Sequence, residues 1–294
     1  MSASELAAGY AALVSGAAAV RLDRDAVRVG GPDAIAFLQG QLSQDVVALS
    51  TGSSAWSLLL QPQGKVDAWL RVTRISPDEV VLDVDGGWGE AVIARLTRFR
   101  LRTKAEIEPL AWRCVALRGP GAPADLATPP TGTAVVAGAR WPLVGGVDLL
   151  GLDPAVPDGM PEVGVDAFEV RRIEAGLPRM GAELTERTIP AEAGVVESSV
   201  SFTKGCYTGQ ELVARIDSRG GHVPRLLRSV VLEGIVADGS PLEVDGRVVG
   251  ALTSVAAHPD GHAVGLASVR RDVEPPAAAL CAGVPASVRS LPRP

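Results

Sequence analysis

Lysine is scarce in this chain. Lys65, Lys104 and Lys204 are its only three, and arginine supplies the rest of the 28 basic side chains, so a lysine inside a motif is hard to dismiss as filler. Histidine and cysteine are equally scarce, at three each. Cys114, Cys206 and Cys281 are far apart, with no CxxC pair and no Cys/His cluster, which excludes a disulfide framework and a complete zinc site. Reduced thiols in the cytoplasm are the expectation. His222, His258 and His262 have no helical ligand spacing and read as structural or surface residues, so no metal is expected. Long apolar runs are missing too, so no segment reads as a membrane span. Met1 to Val20 carries Glu5 and no basic residue before Arg21, unlike a secretory signal; it reads as a surface helix or arm. The net charge of -6 excludes a general nucleic-acid binder, which needs a basic face. No GxGxxG fingerprint, phosphate loop or GxSxG elbow occurs in a strand-to-helix context.

What is present suits a folded protein of several modules. The 294 residues are 47% hydrophobic and 21% charged, too many for one small core. Gly31-Pro32-Asp33 opens a helix with Ile35, Leu38 and Leu42 on one face. Trp56 to Leu60 is a strand, and Gln61-Pro62-Gln63-Gly64 a turn. Val66, Ala68, Leu70 and Val72 then alternate with Asp67, Trp69, Arg71 and Thr73, the pattern of a half-buried strand. A further strand at Glu79–Val84, a stripe of Val92, Leu96 and Phe99, and a strand near Ala105–Leu110 complete a first α+β module. Leu117-Arg118-Gly119-Pro120 echoes Val29-Gly30-Gly31-Pro32, which hints at duplication; Gly119 to Pro130 reads as a loop. Asp166 to Gly176 is the clearest helix: Asp166 and Glu169 have capping-box spacing, Val170, Ile173 and Leu177 share a face, and Gly176 ends it. From Arg225 onward short apolar runs alternate with Gly and Asp turns, as in a small barrel or sandwich. The expected organisation is an arm or helix at 1–22, α+β modules at 23–113 and 114–222, and a β module at 223–294.

The segment Lys204-Gly205-Cys206-Tyr207-Thr208-Gly209-Gln210-Glu211 stands out. Its glycines permit a tight backbone path, and a nearby Lys204 or Arg215 favours the Cys206 thiolate; a buried cysteine in a glycine turn would look the same. Glu174 could accept paired hydrogen bonds from an amidine-like edge, or simply pair with Arg171 at helical spacing.

The Ser199 to Glu211 segment closely resembles the signature of YgfZ-type proteins, relatives of the glycine-cleavage T-protein. Gly31-Pro32-Asp33-Ala34, Gln61-Pro62-Gln63-Gly64-Lys65, Arg172-Ile173-Glu174-Ala175-Gly176, Pro190-Ala191-Glu192 and Val249–Ser254 resemble family segments in the same order. The resemblance implies an α+β fold of two related modules plus a C-terminal β-barrel, arranged like a clover around a central folate pocket. It implies a tetrahydrofolate or one-carbon derivative held by Glu174, Tyr207, Gln210, Glu211 and Arg215, with Cys206 and Lys204 as the chemical groups. It further implies support of iron–sulfur enzymes, including tRNA-modifying ones, through transient client contacts. The T-protein's catalytic aspartate has no counterpart: Asp67 is offset by one from its place, and in an alternating strand that sends the side chain to the other face. A one-carbon transferase or demethylase and a non-catalytic folate scaffold are the competing readings.

Overall fold

A computed structural model describes residues 2–292. The chain opens with α1 (Ala3–Ser15) and β1 (Ala18–Leu22), then lays down β2 (Arg24–Gly30), α2 (Ala34–Gln41), β3 (Ser54–Leu60), β4 (Val66–Ser76), β5 (Glu79–Asp85), α3 (Gly89–Phe99) and β6 (Glu106–Leu110). Next come β7 (Arg113–Arg118), β8 (Val135–Ala139), β9 (Gly146–Gly151) and α4 (Val165–Glu174). A linker with α5 (Val196–Ser199) and α6 (Gln210–Ser218) leads to β10 (Arg225–Leu232), β11 (Pro241–Val244), β12 (Arg247–Ala257), β13 (Ala263–Arg270), β14 (Ala277–Cys281) and β15 (Val284–Arg289). These strands form a five-stranded sheet (β3-β4-β5-β2-β6), a four-stranded sheet (β1-β7-β9-β8) and a closed barrel (β10-β13-β12-β11-β14-β15). The expected α+β fold with a terminal barrel is what the chain adopts. No helix among the described residues is long and apolar enough to cross a membrane.

Of the arm or helix expected at the N-terminus, the helix forms, and the residues after it add a strand. Strand β1 pairs with β7 at the edge of the second sheet, and Leu13 of α1 is buried against Phe168 and Ala167 of α4. The Lys204–Glu211 segment also changes module. Met180, Leu184, Val200, Val213 and Tyr207 pack into the first module's core, with Leu58, Leu70 and Leu82. In the second module the Gly119 echo holds only at the turn. Gly31 and Gly119 have φ of +118° and +116°, a path that L residues resist. Helix α2 follows the first, but an irregular stretch follows the second, where Pro120, Pro123, Pro129 and Pro130 remove backbone donors.

Strand β4 departs from the half-buried pattern. Trp69, Arg71 and Thr73 are as buried as Ala68, Leu70 and Val72, because the second sheet covers the face that the alternation gave to solvent. Helix α4 lacks the expected capping box: its N-cap is Gly164, with no side-chain cap, which leaves Glu169 free to pair with Arg172.

Candidate functional site

The three bodies meet around a cavity of about 560 Å³, within the usual range for small-molecule sites. The first sheet contributes Trp56, Trp69 and Asp85, the second module Arg118, Trp141, Phe168, Glu169 and Arg172, and the barrel Thr253. Trp56 and Trp69 stack with ring centroids 4.1 Å apart, and Trp141 meets Trp69 edge-on at 5.7 Å. The indoles are held by their N–H groups: Trp69 Nε1 donates to Ser199 Oγ at 2.8 Å and Trp141 Nε1 to the Ala175 carbonyl at 3.0 Å. Flat apolar walls with fixed orientations suit a planar aromatic ligand.

Beneath these walls runs a buried charge network. Arg71 and Asp83 face each other across β4 and β5 and bond at 2.9 and 3.0 Å. Arg71 also reaches Asp148 of β9 at 2.8 Å and the carbonyl of Gly138 at 3.2 Å, so one side chain ties the two sheets together. Arg24 bonds Asp83 at 2.7 Å and Asp85 at 2.9 Å, and Arg118 pairs with Asp148. Three guanidinium groups thus face three carboxylates, the pairing that buried charges require. Burial pushes the Asp148 carboxyl up, but Arg118, Arg71 and Arg24 outweigh it and hold it at about 2. Burial, with Asp148 beside it, pushes the Cys114 thiol well above its ordinary range, so Cys114 remains a protonated core residue. The buried Nε of Arg118 has no hydrogen-bond partner among the described residues.

Glu169 and Arg172 sit at the cavity wall in a two-pronged pair, both bonds 2.7 Å. Burial raises the Glu169 carboxyl, and the hydrogen bond and charge of Arg172 more than offset this, so it lies below the ordinary glutamate value. Arg172 also donates to Ser254 Oγ at 2.7 Å and to Glu183 at 3.1 Å. Glu183 accepts in turn from Thr253 and Ser254 at 2.7 and 2.6 Å, which anchors the barrel to α4.

None of the seven residues singled out in the sequence lines this cavity. Glu174 comes five residues after Glu169, about 140° around the helix. Its carboxylate faces α1 and the barrel, where Tyr10 donates to it at 2.9 Å and Arg171 pairs with it; the helical pairing with Arg171 is the one that forms. Lys204 is not beside the thiol. Its ammonium donates to the carbonyls of Gln39, Leu42 and Gln44 at 2.6, 2.5 and 3.1 Å. These three bonds occupy its three protons and close the C-terminal end of α2, where a cation is favoured. Burial lowers this ammonium to about 8, with Asp45 opposing. Tyr207 has its phenol raised to about 12 by burial, and its backbone N–H donates to Gln210 Oε1 at 3.2 Å; both hold the loop. Glu211 and Arg215 are exposed on α6, and Cys206 is exposed in the loop before it. That loop lies against the β3–β4 turn: a Cβ on Gly64 would stand 2.5 Å from Leu212, and one on Gly209 2.5 Å from the Gln61 carbonyl. The two motifs with demanding glycines are thus pressed together.

Asp67 is the residue left out where Leu59 pairs with Ala68 and Leu60 with Val66. This bulge re-aims its side chain, and it bonds Arg95 of α3 at 2.9 Å away from the cavity. The charge network beneath the cavity left one trace in the sequence. Arg71 and Asp83 each interrupt an apolar strand, and charges in such runs need partners when buried.

No protein-family model matches the chain. Its fold matches the crystal structure of glycine cleavage system aminomethyltransferase T from Bartonella henselae, with a TM-score of 0.79 at 21% identity over 98% of this chain and 89% of that one. The chain is therefore a protein of the aminomethyltransferase T fold class. An uncharacterized protein of Haemophilus influenzae is 29% identical over 198 residues, 67% of each chain. Two mitochondrial proteins named iron–sulfur cluster assembly factor IBA57 homologues are also similar. That of Pyricularia oryzae is 27% identical over 272 residues, and that of Neurospora crassa 26% over 248 residues. The chain spans 64% and 56% of their lengths. Within the fold class, the Lys204–Glu211 segment resembles the YgfZ-type signature, and the similarity to the fungal proteins agrees with that resemblance.

Proposed function

We propose that this protein binds a reduced folate in the central cavity and supports the assembly or repair of iron–sulfur proteins, tRNA-modifying enzymes among them, through the exposed Cys206. The carrying observation is the cavity where all three bodies meet. Its indole walls suit a pteridine ring, Glu169 offers a carboxylate to an amidine-like edge, and Arg118 has an unused N–H. Tetrahydrofolate or a one-carbon derivative fits this set of donors, acceptors and flat surfaces. The names of the fungal relatives support the iron–sulfur part. The three unpaired cysteines suit a reducing compartment, here the cytoplasm. The cavity and the thiol are separate sites, so clients meet Cys206 at the surface while folate occupies the interior.

Calorimetric titration with tetrahydrofolate tests the cavity. Glu169→Gln is expected to weaken binding more than about tenfold, the loss of one charged hydrogen-bond partner, while Glu174→Gln leaves it within about twofold. Equal affinities for the parent and Glu169→Gln would refute the assignment. Glycine-cleavage aminomethyl transfer is not expected, because Asp67 is held by Arg95 and Trp69 occupies the cavity wall. Turnover of an aminomethyl-lipoyl donor that Asp67→Asn abolishes would overturn this.

A further inference from the structure

The hairpin joining β12 to β13 reads His258-Pro259-Asp260-Gly261-His262, and one ligand atom from each of His258, Asp260 and His262 lies within 4.8 Å of the other two. The hairpin is tightly closed: His258 N–H donates to the His262 carbonyl at 2.8 Å, and Gly261 N–H to the His258 carbonyl at 3.0 Å. His258 is buried, its side chain 5% exposed, whereas that of Asp260 is 78% exposed. The two imidazoles stack at 4.2 Å with 23° between their planes.

One hydrogen bond sets the roles of the two ring nitrogens of His258. Its Nε2 stands 3.3 Å from Glu174 Oε1. That carboxylate is itself held by Tyr10 and Arg171, and because Asp260 N–H donates to Nδ1, Nε2 carries the proton. Nδ1 is then the nitrogen with the lone pair. It accepts from Asp260 N–H at 3.1 Å and stands 3.5 Å from Asp260 Oδ2. An ion bound between that lone pair and the carboxylate oxygen would take the place of the Asp260 N–H on Nδ1. The same separation is what two ligands about 2.1 Å from one ion make at a nearly tetrahedral angle. A metal-binding histidine usually donates its other N–H to a carboxylate, which fixes the ring, and Glu174 already stands in that place.

We propose that His258, Asp260 and His262 form a binding site for a divalent transition-metal ion of the zinc class, with Glu174 as the carboxylate that orients His258. Two imidazoles and one carboxylate favour such an ion over calcium or magnesium, which prefer oxygen ligands alone. His262 is half-buried and joins as third ligand by turning about its side-chain bonds, which breaks the ring stack; a water completes four-coordination. Glu174 ends α4, the helix that carries Glu169 and Arg172, so a bound ion braces the helix that lines the cavity.

The test is titration of the full chain, in a Cys206→Ser background that removes the exposed thiol, with Co2+ followed by visible absorption and with Zn2+ by calorimetry. One equivalent is expected to bind. Asp260→Asn and His262→Ala should each weaken binding at least tenfold, and Glu174→Gln about tenfold or more. Asp260 is exposed, so its variant folds and decides the outcome even if His262→Ala is unstable. The proposal is overturned by three results: no saturable binding below about 1 mM, binding unchanged in Asp260→Asn, or binding present in the parent that Cys206→Ser removes.

Discussion

Arg71→Ala is expected to lower the free energy of unfolding by about 3–5 kcal/mol, the cost of leaving buried carboxylates short of a partner. Arg71 is fully buried and holds Asp83, Asp148 and the Gly138 carbonyl at once. Its loss exposes both acids to a low-dielectric interior and unties the two sheets. Urea denaturation of parent and variant checks this, and a midpoint that does not move would show that Arg24 and Arg118 suffice. The same network predicts an acid limb. The Asp148 carboxyl is held at about 2 in the folded chain against an ordinary value of 3.8. Between those pH values the unfolded chain binds a proton that the folded chain refuses. The stabilisation is therefore complete above about pH 4 and is lost as pH falls through about 2, by roughly 2 kcal/mol. Asp148→Asn should remove that part of the acid sensitivity while lowering stability at neutral pH. An acid limb identical in parent and variant would exclude Asp148 as its source.

Cys206→Ser is expected to abolish support of iron–sulfur enzymes in a strain lacking the protein, yet leave the melting temperature within about 2 °C, as surface substitutions usually do. The reasoning starts from exposure. Cys114 and Cys281 are buried and Cys206 is exposed, so Cys206 alone can meet a macromolecular partner. One thiolate cannot hold a conventional cluster, which takes four, so the role proposed for Cys206 is one that is transient or shared with a client. Lys204 supports the thiol through the backbone, by fixing the loop on α2. Lys204→Met should therefore lower both stability and activity, whereas Cys206→Ser lowers activity alone. Full complementation by Cys206→Ser would favour the scaffold reading.

Much of this architecture was legible in the residues, because the signals are local. The stripe of Val92 and Leu96, the Gly and Asp turns after Arg225, and Gly176 closing α4 each act over a few positions. They fixed helices, strands and the terminal barrel. The glycines of Gln61–Gly64 and Lys204–Glu211 marked backbone paths that tertiary contact then required. The site was less legible. Glu174 and Glu169 lie on one helix and differ only in which face another element covers. Strand alternation was expected to turn Asp67; a bulge, which periodicity does not show, aims it at Arg95.

By itself, then, the sequence determined the α+β class, the barrel, the family signature and the Cys206 loop as a glycine-held turn. Only the tertiary structure decided that β1 completes the second sheet, that Lys204 caps α2, that Glu169 and not Glu174 meets the cavity, and that Arg71 bridges the sheets. The physical reason is range. Propensity and periodicity are set by neighbours along the chain, whereas the facing of a side chain and the partner of a buried charge are set by surfaces that meet only after segments distant in sequence have packed.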